Sequence, residues 1–426
     1  MSSTTGGPSP WRRTSGGVGL GSTASRTGRV VARSASEPAR AARPAILYFG
    51  NDWFADNRTS SHQIARILAR QFDVFYLECP GLRAPKGTGR DLKKLWAKTA
   101  RFARGASRVD EGLVVRTLMQ VPLHRFALMR GLNRLLLLAT IRILMWRQSI
   151  RRPIAWFMLP HLSAVVGRLG ERLSVYYCID DYAALPDVDE QAVSAMDEEL
   201  TRKADLVFVA SDTLVEPKKR LNPRTHLSPH GVDFAHFARA QQESLSVPEE
   251  LARLSRPVVG FFGLIESWID LDLVGYLAEQ RPDWSFVLIG RVAVPADHVP
   301  QLANVHFFGP RPYSTLPAYG RGFDAAIIPY RLTRQVMHAN PIKLREYLAM
   351  GKPVVSVRTP EIDKFGGLVD IVDTKEEFRD RLDAVLARPA RQQDIDRRQQ
   401  AAAVWNWDRR VEEALTVVRE HIASHR

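Results

Sequence analysis

The segment Asn340-Pro-Ile-Lys-Leu-Arg-Glu-Tyr-Leu-Ala-Met-Gly-Lys-Pro-Val-Val-Ser356 combines a helix start with charges spaced to act on one ligand. Asn340 suits an N-cap, Pro341 the first helical position, and Gly351 with Pro353 a helix end ahead of a strand. A helix N-terminus presents N–H groups without intrahelical partners and the positive end of a dipole. It therefore favours phosphate, and Lys343, one turn in, adds a full charge. Glu346 shares a face with Lys343 and could accept hydrogen bonds from ribose hydroxyls. The same spacing equally describes a capped helix carrying a surface Lys–Glu pair.

Two further sets of side chains could handle protons. Asp180 and Asp181 follow the apolar run Val175 to Ile179, which places them at the carboxyl end of a strand, where a general base would stand; a helix or turn cap there explains them as well. His62, in Thr59-Ser-Ser-His-Gln63, opens a helix near the first strand and is either a second cleft base or a solvated helix-start residue. His230 and His236 lack the partners and spacing of a zinc site and read as loop histidines. Gly351-Lys352 runs into Pro353, so no phosphate loop of the ATPase type is formed there, and the glycines from Gly16 to Gly21 have no strand before them.

The elements that must position these residues alternate. Short β-branched and aromatic runs, separated by helical patterns, are the mark of parallel βαβ units. Strands are expected over Ala45–Phe49, Val74–Leu77, Leu113–Leu118, Ile154–Leu159, Val175–Ile179 and Leu206–Ala210, with helices over His62–Arg70, Leu123–Gln148 and Asp189–Lys203. A polar stretch, residues 238–256, reads as a linker. A second series follows at Val258–Phe262, Phe286–Ile289, Val305–Phe308, Ala325–Ile328 and Val354–Val357. The fold class is α/β: two tandem Rossmann-like, doubly wound domains, residues 44–237 and 257–426, facing a cleft onto which strand carboxyl ends open. The last helix is a candidate to return to the first domain.

A chain of 426 residues with 25% charged and 45% hydrophobic residues is long enough for two real cores and is neither collagen-like nor a multi-span membrane protein. Its net charge of +14 is uneven. Residues 1–43 carry seven arginines against Glu37 and read as a disordered basic tail without the apolar stretch of a secretory signal. Residues 81–152 carry 17 basic side chains against Asp91, Asp110 and Glu111. Such a segment expects an anionic partner, and the helix within it could lie on an anionic membrane; its apolar run Leu135 to Ile141 is too short to span a bilayer. With two cysteines and no signal, the expected location is the cytoplasm, with the basic segment at the cytoplasmic face of the inner membrane.

Pro341, Lys343, Glu346, Tyr347, Ala349, Gly351 and Pro353 to Ser356 resemble the donor-binding motif of GT-B glycosyltransferases. Ala204 to Ser211 with Ser228-Pro-His-Gly-Val-Asp233, and Val305 to Pro310 with Tyr313, Leu316, Asp324 and Ile328-Pro-Tyr330, resemble other stretches of that family in the same order. The resemblance implies a nucleotide-sugar donor whose diphosphate meets Lys343 and whose nucleoside meets Glu346. Asn340, Ile342, Gly263 and Tyr330 would lie around the donor, and the base near Pro310 and Arg311. It implies an acceptor that is a glycan or lipid-linked, as in exopolysaccharide or cell-envelope synthesis, with no cofactor or metal. Two departures stand out from the related retaining family four. The position eight before Glu346 is His338 rather than a glutamate, and Gly263-Leu-Ile-Glu-Ser-Trp-Ile-Asp270 lacks the usual basic pair, leaving Arg331 or Arg334 to assist Lys343. The alternatives are a nucleotide-sugar epimerase, which would need catalytic carboxylates and histidines in both domains, and a basic scaffold or nucleic-acid-binding protein. No nucleic-acid-binding signature is present, and no nucleic acid partner is expected.

Overall fold

The computed structural model describes residues 43–54, 58–79, 81–82, 96, 98–102, 105–118, 127–389 and 391–425. The basic tail, residues 83–95 and the start of the expected helix at Leu123 lie outside the described residues.

The strands between Ala45 and Leu227 form an eight-stranded sheet. Its strands are β1 (Ala45–Gly50), β2 (Asp73–Glu78), β3 (Ser107–Asp110), β4 (Leu113–Thr117), β5 (Ile154–Phe157), β6 (Leu173–Cys178), β7 (Leu206–Val209) and β8 (Thr225–Leu227), in the spatial order β3-β4-β2-β1-β5-β6-β7-β8. Every pairing is parallel except β3 with β4. A second, all-parallel sheet follows: β9 (Val258–Phe262), β10 (Ser285–Ile289), β11 (Val305–Gly309), β12 (Ala325–Ile328), β13 (Val354–Val357) and β14 (Asp370–Val372), in the order β11-β10-β9-β12-β13-β14. The strand order reverses at β1 in the first sheet and at β9 in the second, and both reversals leave a crevice at the strand carboxyl ends.

Both sheets are covered on two faces, which is why their strands read as near-continuous apolar runs. In β9, Val258 and Phe262 pack into one core while Val259 and Phe261 pack into the other, the period-two alternation of a strand. Gly260 sits between them because a Cβ there would lie 2.3 Å from the Phe323 ring.

The principal helices are α1 (Ser60–Leu68), α2 (Ala127–Arg147), α3 (Glu190–Lys203), α4 (Leu271–Gln280), α5 (Ile342–Ala349), α6 (Lys375–Leu386), α7 (Gln392–Ala403) and α8 (Trp407–Ser424). Trp407, Val411, Ala414, Leu415 and Val418 of α8 lie in the first sheet's core. The crossing is tight: a Cβ on Gly231 would stand 2.7 Å from the Trp407 Cα.

Two sequence expectations need correction. Residues 238–256 are not a free polar linker, because they form a short 3-10 turn and the helical turn Glu249–Ala252, and bury Ala240 and Leu251 in the second lobe. Within the basic segment 81–152, expected to face an anionic partner, Lys98 and Arg101 turn inward, to the fully buried Glu78 carboxylate at 3.7 and 3.3 Å. In α2, Leu137, Leu138, Ile141 and Leu144 are buried, while Leu135, Ile143 and Trp146 are 64%, 51% and 79% exposed. Among the described residues no helix is long and apolar enough to cross a membrane.

Candidate functional site

The carboxyl ends of the two sheets meet at a cavity of about 330 Å³. The second lobe contributes Gly263 after β9, Gly290 after β10, Pro310 and Arg311 after β11, Tyr330 after β12, and Asn340 to Lys343 with Glu346 from the start of α5. The first lobe contributes Arg58 and Thr59 ahead of α1, Asp180 after β6, and His230. Asp180, Lys343, Glu346, Asn340, Ile342, Gly263, Pro310, Arg311 and Tyr330 are thus brought together.

Lys343 and Glu346 are not a surface pair. The Lys343 side chain lies across Gly263, where a Cβ would fall 2.0 Å from its Cε, and its ammonium stands 6.0 Å over the Phe261 ring. Gly263 and Gly290 carry φ angles of 148° and 149°, and a Cβ on Gly290 would overlap the Gly263 carbonyl. These two glycines let the strand ends and the lysine close together. Desolvation pushes the Lys343 ammonium below its ordinary range, with Glu346 acting against the shift. Desolvation pushes Glu346 up to about 7, Lys343 opposing and Asp233 adding to the rise. A bound anion would relieve the ammonium's lost hydration.

Asn340 is not the N-cap. The helix begins at Ile342 with Pro341 as its cap residue. Asn340 is buried, accepting from Arg345 at 2.8 Å and donating to Glu361 at 2.5 Å. Glu361 in turn accepts from Ser211 Oγ and the Asp212 amide of the first lobe, at 3.0 and 2.9 Å. Asn340 therefore anchors the loop that aims α5 at the cleft.

The carboxylates divide by environment. Asp180 faces the cavity, accepting from Gln335 at 3.3 Å and from the Asp181 amide at 2.9 Å, and burial pushes it up to about 7 against both of those bonds. Asp181 does not line the cavity: it forms a two-pronged pair with Arg334, at 2.8 and 3.4 Å, and Arg334 also binds Glu190. It serves as a clasp between lobes rather than an open base. His62 is 4% exposed and has no nitrogen to spare: Nδ1 accepts from the Thr59 amide at 3.1 Å and Nε2 donates to the Trp53 carbonyl at 3.2 Å. It closes the first turn of α1, and burial pushes its imidazole below the ordinary range, against the bond to the Trp53 carbonyl.

Arg331 is held by Asp272 and Asp270, at 3.0 and 3.5 Å, so neither it nor Arg334 reaches the cavity. Arg311 does, but is clamped by Glu250 at 2.8 Å and by Tyr319 at 2.7 Å. Sequence reasoning missed Arg58, which is exposed, stacks 4.9 Å over Tyr313 and has no carboxylate partner among the described residues. It also passed over Gln335, and took His230 only as a loop histidine. His230 is 5% exposed, has no partner for Nδ1 among the described residues, and is driven down to about 3 by burial. Its place in Ser228-Pro-His-Gly231 was the available signal. Tyr330 stands where Asp180 and Glu346 both act on it; burial first, then both carboxylates, raise its hydroxyl. Among the described residues no group of three or more His, Cys, Asp or Glu could hold a metal ion.

Comparison with solved structures fits this geometry. An α,α-trehalose-phosphate synthase (UDP-forming) from Burkholderia vietnamiensis superposes with a TM-score of 0.63 at 14% identity, over 90% of this chain and 98% of that one. Anabaena Alr3699/HepE in complex with UDP and glucose gives 0.61 at 14% identity, over 88% and 100%. The fold is therefore GT-B. Residues 272–416 match the family described as Glycosyl transferase-like. Over 337 residues the chain is 26% identical to TuaH of Bacillus subtilis (strain 168), a glycosyltransferase named for teichuronic acid biosynthesis, covering 74% of this chain and 80% of that protein. The protein is a glycosyltransferase of the GT-B fold, and neither the epimerase nor the scaffold alternative is favoured.

Folding raises the Asp180 carboxyl, so between the ordinary carboxylate range and about pH 7 the folded chain holds a proton that the unfolded chain has lost, and stability falls as pH rises through that window. Asp180→Asn is thus expected to raise the melting temperature more at pH 8 than at pH 5. Equal shifts at the two pH values would mean that Asp180 titrates as an ordinary carboxylate.

Proposed function

We propose that the protein transfers a sugar from a nucleotide-sugar donor to a glycan or lipid-linked acceptor in cell-envelope or exopolysaccharide biosynthesis. The observation that carries this reading is the pairing of a desolvated Lys343 with Glu346 on the first turns of α5, at the meeting of the two strand crevices. The lobe of residues 257–426 holds the donor and that of residues 44–237 the acceptor. The donor diphosphate lies at the N-terminus of α5 against Lys343, with the ribose on Glu346 and the base beside Pro310 and Arg311. Arg58 adds positive charge from the other wall.

In the transfer, the bond from the anomeric carbon to the diphosphate oxygen breaks and a bond from that carbon to the acceptor oxygen forms. Lys343 and the α5 amides stabilise the charge gathering on the diphosphate. Asp180 receives the acceptor's proton; its position at about 7 suits a base working near neutrality. TuaH's name and the UDP complexes of the structural relatives support the donor and acceptor classes.

The acceptor lobe also has a surface suited to an anionic bilayer. On α2, exposed Leu132, Leu135, Leu136, Ile143 and Trp146 form a stripe with Arg142 and Arg147 beside it. Apolar side chains entering the interface, with arginines at headgroup level, would hold the protein against a lipid-linked acceptor.

Lys343→Ala should weaken nucleoside diphosphate binding by about 10- to 100-fold, the worth of a charged hydrogen bond of about 1.5–3 kcal/mol. Calorimetric titration with UDP, GDP, dTDP and ADP checks this, and unchanged affinity for the best of them would remove Lys343 from the site. Separately, the protein should co-sediment with phosphatidylglycerol vesicles at low salt and leave them as salt rises, with Leu135→Glu/Trp146→Glu lowering the bound fraction severalfold. Equal recovery with phosphatidylcholine vesicles would contradict the electrostatic part of this reading.

A further inference from the structure

A second cavity, of about 580 Å³, lies at the opposite end of the second sheet. Its walls come from residues ahead of the strands: Arg256 before β9, Phe323 and Asp324 before β12, Lys352 and Pro353 before β13, and Asp370 where β14 begins. The loop after α6 and the helix α7 close it. A strand of five residues, about 17 Å, separates this end from the donor cleft. Nothing proposed for the transfer reaction uses it.

Seven cationic side chains line this cavity against three carboxylates, Asp324, Asp370 and Asp394. Arg256 is paired with Asp324. Arg321, Arg397 and Arg398 donate to the carbonyls of Ala240, Gly367 and Gly351, and the Lys352 ammonium donates to the carbonyls of Arg321 and Phe323 at 3.0 and 2.7 Å. Carbonyls orient these groups without neutralising them. Arg391 is exposed and its side chain has no partner among the described residues. Burial pushes Lys352 down to about 8, with Asp324 opposing and Arg256 and Arg321 adding smaller effects in the same direction as burial.

We propose that this cavity binds a compact, multiply phosphorylated small molecule. Guanidinium groups match phosphate oxygens with two parallel N–H donors, and several converging on one cavity suit clustered phosphates better than a single charge. Walls of strand ends and a helix enclose a small ligand, whereas a bilayer or a polymer would need an open face. The α5 carbonyl end borders the same cavity, with Gln241 bonded to the Met350 carbonyl and Gln399 to the Ala349 carbonyl at 2.9 Å.

The probe is sodium tripolyphosphate, titrated calorimetrically into the full chain carrying Lys343→Ala, so that the donor cleft contributes little. One-to-one binding should persist in that background at an ionic strength matched with sodium sulfate. Adding Arg391→Gln/Arg397→Gln should weaken it at least tenfold while the melting temperature of the free protein stays unchanged. If the double replacement lowers that melting temperature, Arg391→Gln alone carries the test, because its side chain makes no bond within the described residues, and a loss of at least threefold is expected. Tripolyphosphate binding equal with and without these replacements, or abolished by sulfate, would overturn the proposal. A failure of the donor reading would show elsewhere, as nucleoside diphosphate affinity indifferent to Lys343.

Discussion

The constraint on which the site depends is the fit of Lys343 across Gly263. Two strand ends converge there with backbone conformations that favour glycine, and the lysine's alkyl chain fills the space that a Cβ would take. The ammonium is stripped of part of its hydration and held against an aromatic ring, with a carboxylate that is itself desolvated as its charged neighbour. Among the described residues neither group has a hydrogen-bonding partner. A low-dielectric wall strengthens the attraction between the ammonium and an anion, which is why the diphosphate is proposed here.

That geometry would be lost if the helix carrying it moved. The loop before α5 is fixed by Arg345, 1% exposed, which lies 4.6 Å over Trp405 and 5.1 Å over Phe365 and bonds Asn340 and the Pro341 carbonyl. Glu361, equally buried, bonds Asn340 on one side and the first lobe's Ser211 and Asp212 on the other. Removing one partner of such a buried network leaves an uncompensated charge, which costs far more than the network contributes over an apolar replacement. The network registers the cleft: it ties the direction of α5 to the position of the first lobe. Around the rim, Arg334 with Asp181 and Glu190, and His338 with Thr213 at 2.9 Å, repeat that tie at more exposed points.

Much of this was legible in the sequence for a specific reason. Strands buried on both faces must be apolar throughout, so runs such as Val258 to Phe262 declare themselves, and a helix that opens with Asn-Pro and ends with Gly-Lys-Pro marks its own boundaries. β3, β8 and β14 did not show, because Ser107–Asp110, Thr225–Leu227 and Asp370–Val372 are short, partly polar and placed toward sheet edges. Lys343, Glu346 and Asp180 could be singled out because each follows a local signal. Arg58 and Gln335 could not, since their significance lies in contacts with residues far along the chain. Asn340 and His62 exchange the duties their residue types suggest: the best cap by residue type points into a buried network, and the histidine read as a cleft base or a solvated helix start is buried and does the capping.

The central claim, that the α5 N-terminus is where the donor's diphosphate sits, is tested most directly by a crystal structure of the complex with the nucleoside diphosphate that binds most tightly. The account predicts diphosphate oxygens within hydrogen-bond distance of Lys343 Nζ and the first α5 amides, with the ribose hydroxyls on Glu346. A nucleotide bound elsewhere, with the cleft between the two sheets empty, would contradict it.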